Sequence, residues 1–234
     1  MVYNDQLKRE IPKGWDFVCL KDFVEKRISG DWGTDSESPQ NPLKVSCIRG
    51  ADLKTLEDLP IRFITEAHSN RLLSALNVVI EMSGGSPTQS TGRSAIIPFE
   101  TIEDNNHSIV CSNFCQAIIP QKKFELYFYM TWQLLYNSNV FFNYEGKTSG
   151  LRNLQFDNAL NIKWYKPNLD LIRKFNDIGL IYLEEAARNR RMIRELQALR
   201  DELLPLLMNG QVNCDLLEVC PLILYIIIII NKRI

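Results

Sequence analysis

Residues 168–212, "NLDLIRKFNDIGLIYLEEAARNRRMIRELQALRDELLPLLMNGQV", decide the fold. Alternating steps of three and four from Phe175 pass through Ile178, Tyr182, Glu185, Asn189, Met192, Leu196, Leu199, Leu203 and Leu206. Eight of these ten positions are apolar. They form a heptad seam, the pattern of a helix that packs along another helix. Glu185 and Asn189 interrupt it near the middle, where polar residues lower stability but fix register or partner. Arg188, Arg190, Arg191, Arg194 and Arg200 lie off the seam, as on a solvated face. Asn209-Gly210 supplies residues that tolerate the left-handed conformation closing a helix. About 40 helical residues extend roughly 60 Å, further than one small domain can cover. Gly179 is a poor hairpin turn, so the seam predicts pairing with a second chain or a second copy.

Upstream, the chain changes character. Pro12 and Gly14 punctuate a turn, and Trp15 begins the apolar run "WDFVCL". From there to about Lys166 the segments are short and rich in Val, Ile, Phe and Tyr, as in "VSCIRG", "NVVIEMS" and "SAIIPF". Turn residues separate them, as in a twisted, mostly-β domain. The stretch "KFELYFYMTWQLLYNSNVFFNY" (123–144) carries apolar residues at helical spacing and predicts a buried helix packed on the sheet. The expected class is therefore α+β. Residues 1–166 make a mostly-β domain with a packed helix, 167–212 one long coiled-coil helix, and 213–234 an apolar tail. Within that tail "PLILYIIIII" falls short of the ~20 residues that span a bilayer. Its abrupt composition reads as an appended or frame-shifted end, and no membrane partner is expected.

A chain of 234 residues with net charge −1 buries a sizeable core but lacks the basic balance of a solitary nucleic-acid binder. It suits one subunit of an assembly whose partners supply cationic surface. The polar start "MVYNDQLKRE" carries no signal peptide, so reduced thiols and a cytoplasmic location are expected. His107, Cys111 and Cys115 fit no common zinc spacing; "SIVCSNFCQAII" reads as a buried strand and turn, and no metal is expected.

The Gly/Ser/Thr-rich "EMSGGSPTQSTGRS" (81–94) fails as a phosphate-binding loop. Pro87 stands where its first Gly is required, and Arg93 replaces its Lys. That leaves a solvated hairpin connection or a loop that touches something larger. Nucleophile-elbow, zinc-protease, C-x-x-C, dinucleotide and amino-methyltransferase tetrapeptide motifs are missing. Two distant histidines offer little acid–base chemistry. Glu103-Asp104 and Asp201-Glu202 read as surface. The balance favours a recognition module over an enzyme.

The stretches "MVYNDQLKREIPKGWDFVCLKDFVEKRISGDWG", "IRGADL", "VVIEMSGGSPTQSTGR", "NFCQAIIP", "TSGLRNLQF" and "RNRRMIRELQALRDELLPLLMNGQV", in this order, resemble the DNA-specificity subunit of type I restriction–modification systems. That family has two target recognition domains, each followed by a long helix, the two helices packing antiparallel. One domain and one helix here resemble the second half of such a subunit, beginning at an internal Met. The resemblance implies a non-catalytic subunit that reads one half of a bipartite double-stranded DNA site. It also implies methylation subunits that use S-adenosylmethionine and a restriction/translocase subunit. S-adenosylmethionine, ATP and Mg would sit on those partners, with no cofactor on this chain. A second half-subunit or a homodimer would form through Phe175, Ile178, Tyr182, Met192, Leu196, Leu199, Leu203 and Leu206.

On this resemblance the polar loops lie against DNA. The candidates are Ser83, Ser86, Thr88, Gln89, Ser90, Thr91 and Arg93; Lys26, Arg27, Ser29 and Trp32 in an exposed-looking loop; and Lys147, Thr148, Ser149, Arg152 and Asn153 in another. Hydroxyls and guanidinium groups suit phosphate oxygens, Arg suits guanine and Asn suits adenine. Arg49, which lies with Asp52 in "IRGADL", reads equally as a base reader or as half of a structural salt bridge. A silent specificity cassette and a coiled-coil structural protein remain as alternatives.

Overall fold

The computed structural model describes residues 1–4, 9–84, 86, 88–148 and 151–209. Ser149, Gly210 and the tail 213–234 lie outside the described residues. The chain divides into two units, Met1–Glu185 and Ala186–Ile234.

The first unit is α+β. Its strands are β1 (Val2–Asn4), β2 (Arg9–Ile11), β3 (Asp16–Cys19), β4 (Val24–Ser29), β5 (Leu43–Ile48), β6 (Ile61–Ile64), β7 (Val78–Glu81), β8 (Ser83–Gly84) and β9 (Ser94–Ile96). Helix α1 (Phe99–Asp104), β10 (Ser108–Cys111), β11 (Cys115–Pro120) and α2 (Glu125–Asn137) follow. Then come β12 (Glu145–Thr148), β13 (Leu151–Leu154), α3 (Phe156–Leu160) and β14 (Lys163–Lys166). Helix α4 (Leu169–Met208) runs 40 residues, with Pro205 in its last turns.

A four-stranded sheet, order β4-β11-β7-β9, forms the centre, with antiparallel neighbours. A second sheet, β10-β5-β6, carries the parallel pair β10/β5. A third, β12-β13-β8, is small. Helix α2 buries Phe128 and Trp132 against Val78, Ile80, Phe141 and Phe156. The helical stretch expected over 123–144 thus forms, but in two pieces. Asn139 adopts a left-handed φ of 59°, ending α2 and starting a short 3-10 turn over Val140–Tyr144. The expected strand and turn around Cys111 and Cys115 are β10 and β11, with both thiols buried among Ile48, Val79 and Ile109.

The first turns of α4 belong to this unit. Ile172, Leu180 and Leu183 face its core. Gly179 permits a close approach, since a Cβ there would lie 2.4 Å from Leu126 Cδ2. Glu184 accepts the N–H groups of Phe99 and Glu100, both at 3.0 Å. Met130, Leu134, Leu171 and Phe175, all exposed, line one apolar groove between α2 and the start of α4, and Ile178 is exposed further along α4. In the second unit Met192, Leu196 and Leu199 are exposed, while Leu203 and Leu206 are half-buried. Among the described residues no helix is long and apolar enough to cross a membrane.

Candidate nucleic-acid interface

The described residues of the 81–94 stretch connect antiparallel β7 and β9, and they are not uniformly solvated. Ser90 and Thr91 are buried, whereas Thr88 is exposed. Packing explains the burial. Gly92 sits at φ +95°, and a Cβ there would lie 2.9 Å from the Phe141 ring. Its carbonyl accepts the buried Trp132 indole N–H at 2.8 Å. The Gln89 amide donates to the Tyr136 hydroxyl at 2.9 Å. Ser86 and Thr88 hydroxyls lie 3.2 Å apart.

Strand β8 leaves this connection and joins β13, aligning Ser83 with Asn153 and Gly84 with Arg152. The Ser83 hydroxyl donates to the Asn153 side-chain oxygen. Two stretches 70 residues apart in sequence therefore share one small sheet. The second was expected as a loop. It is instead the β12–β13 hairpin, with Lys147 and Thr148 in β12 and Arg152 and Asn153 in β13, because Glu145–Thr148 pairs in register with Leu151–Leu154.

Two carboxylates brace this face. Glu81, 3% exposed, takes a bidentate pair from Arg93 at 3.0 and 2.5 Å. Gly50 and Gly84 enclose it, since Cβ atoms there would lie 2.8 and 2.6 Å from Glu81 Oε1. The carboxylate raises the Arg93 guanidinium above its ordinary pKa through that hydrogen-bonded pair. Glu145 accepts the Thr91 N–H at 2.7 Å, the Thr91 hydroxyl at 3.2 Å and Arg152 Nη1 at 2.9 Å. Arg49 lies beside Glu81 through Gly50 and forks onto Asp52 at 2.9 and 2.8 Å. The guanidinium groups of Arg49, Arg93 and Arg152 are thus matched to internal acids. The side chains they hold in place, with Ser83, Ser86, Thr88 and Asn153, form the hydrogen-bonding part of the face.

Lys26, Arg27 and Ser29 stand in β4, an edge strand, and not in a loop. The run of charges hid the strand, which edges tolerate. Lys26 and Ser29 are exposed, while Arg27 pairs with Asp157 at 2.6 Å and lies over the Phe156 ring. This strand sits at the opposite edge of the central sheet from β9, away from the braced hairpin. Trp32 is half-buried under the Arg62 guanidinium, 4.2 Å from its ring centroid. Arg62, itself buried, pairs with Asp35 and donates to the Trp32 carbonyl at 2.8 Å. His68 meets Asp31 at 2.5 Å, and Arg71 donates to the Gly30 carbonyl at 2.8 Å. Sequence reasoning passed over the Arg62–Asp35 pair and the Asp31–His68–Arg71 group beside it. The signal of the pair was an Arg inside the apolar run "PIRFI" (60–64), since an arginine in such a strand needs a partner.

The β-rich body and the 40-residue helix have a fold similar to that of a solved type I restriction–modification S subunit. The S subunit from M. genitalium shares this fold at a TM-score of 0.50, with 11% identity over 83% of this chain and 46% of that one. The HsdS subunit from Thermoanaerobacter tengcongensis is 17% identical over 87% of this chain and 47% of its own, with a TM-score of 0.44. In sequence, the chain is 26% identical over 219 residues to the type I restriction enzyme MjaIX specificity subunit of Methanocaldococcus jannaschii. That match covers 92% of this chain and 48% of the relative, so the chain spans about half the length of the curated protein it resembles. No family model matches it.

Proposed function

We propose that this chain is a non-catalytic DNA-recognition subunit of a type I restriction–modification system, reading one half of a bipartite site. The observation that carries this reading is the likeness to a specificity subunit over 92% of the chain. The braced polar face and the seam on α4 agree with it. Small polar side chains on a fixed backbone suit base edges and phosphates. The net charge of −1 leaves most phosphate neutralisation, which dominates affinity, to partners. Those partners are methylation subunits that hold S-adenosylmethionine and a restriction/translocase subunit that uses ATP and Mg, in the cytoplasm. The seam pairs with a second half-subunit or a second copy, and a second copy makes the target palindromic by two-fold symmetry.

The test is co-expression of the full chain with the methylation subunit of the same genome, followed by sequencing of methylated DNA. Adenine methylation confined to one bipartite motif is the expected result. A soluble chain that neither binds that subunit nor directs methylation overturns the reading and leaves a silent cassette.

A further inference from the structure

Phe114 is an unusual residue for a polar face. It is 58% exposed, whereas most other exposed large apolar side chains of the first unit lie on α2 and the start of α4. It sits in the tight turn between β10 and β11, closed by the Cys115 N–H on the Ser112 carbonyl at 2.9 Å. The Phe114 carbonyl accepts the N–H groups of Met82 at 2.7 Å and Ser83 at 3.3 Å. The neighbouring Asn113 accepts the Trp32 N–H at 3.1 Å. Ser83 in turn donates to Asn153. One hydrogen-bonded path thus runs from Trp32 through Asn113 and Phe114 to Ser83 and Asn153. The ring is presented from a pinned backbone in the middle of that path.

A phenyl ring cannot bond a phosphate. Covering its apolar surface is favourable, and leaving it in water is not. On a duplex the matching surfaces are thymine methyl groups and the faces of base steps. We propose that Phe114 is a base-contacting residue of the recognition face, packing its ring on apolar base surface in the target. This rests on the DNA-recognition reading above.

The test uses the full chain in complex with its methylation subunit. The probes are a duplex carrying the methylated motif and a scrambled duplex, each titrated across salt concentrations. Phe114→Ala is expected to bind the motif about tenfold more weakly, to bind the scrambled duplex unchanged, and to keep the wild-type salt slope, because no phosphate contact is removed. Phe114→Leu recovers most of the loss. A motif duplex with uracil for thymine assigns the contact: weaker wild-type binding places the ring on a methyl group, and equal binding places it on a base face. Unchanged motif affinity in Phe114→Ala overturns the inference while wild-type discrimination keeps the specificity reading. Equal loss on both duplexes also overturns it, since the ring would then hold the fold. A wild-type complex that does not discriminate between the duplexes removes the specificity reading itself.

Discussion

On the polar face each arginine beside the hairpins has its acid: Arg93 with Glu81, Arg152 with Glu145, Arg49 with Asp52. Along α4, by contrast, Phe175, Ile178, Tyr182, Met192, Leu196 and Leu199 are all exposed. Among the described residues, the polar face is completed by side chains of the same chain, whereas the apolar seam stays exposed. A surface that reads a ligand gains from being pre-ordered, because less conformational freedom is lost on binding. A surface that builds an assembly keeps its apolar area for the partner. If this contrast holds, changes on the polar face cost folding stability, and changes on the seam cost association.

The largest effect belongs to Glu81→Ala. Removing a carboxylate that is 3% exposed strands Arg93 in a site with little water. Breaking one side of such a pair costs about 3–5 kcal/mol. Urea unfolding measures it, and a cost below about 1 kcal/mol would break the comparison, because the acid would then not brace the hairpins. Next is Gly92→Ala. It combines a positive φ with a Cβ 2.9 Å from Phe141, and forcing an extra methyl into packed space costs about 1–3 kcal/mol. The same unfolding experiment applies.

Alkaline pH probes the core behind that face. Burial pushes the thiols of Cys47 and Cys115 up to about 12 from 9.0, and burial also raises Cys111. A raised thiol pKa means that the folded state resists the thiolate. Its stabilising contribution is complete below pH 9 and is lost as pH rises towards 12. Stability is expected to fall by about 1 kcal/mol per such thiol between pH 8 and 10. Cys47→Ala should flatten that slope in melting curves recorded across the range.

How much of this was legible follows from where each signal resides. The helix α4 was plain because its period repeats over many turns, so single exceptions do not hide it. Helix α2 was visible for the same reason, but its end at Asn139 depended on one left-handed residue. Strand β4 was missed because Glu25, Lys26 and Arg27 break alternation, which an edge strand permits. The polar stretches were found, but the burial of Ser90 and Thr91 could not be read locally. Phe141 and Glu145, about 50 residues further on, enclose Gly92 and Thr91. Likewise Arg93 looked free in sequence. Its acid lies 12 residues back, across a hairpin that only the folded register closes.

The smallest effect on folding, and the sharpest test of the contrast, is on the seam. Ile178 is 61% exposed and Leu196 50% exposed. Glutamate suits a helix nearly as well as leucine does. Ile178→Glu and Leu196→Glu should therefore shift unfolding of the isolated chain by no more than about 0.5 kcal/mol, as surface substitutions do. If α4 pairs as proposed, the same changes place a charge in the seam, where burial without a partner is costly. Sedimentation of the wild-type chain, alone and with the methylation subunit proposed as its partner, against both variants separates the two costs. Lost association with unchanged unfolding means that the seam is reserved for a partner helix. Lowered stability in the chain alone means that the seam already packs within one copy and is not the surface that builds an assembly.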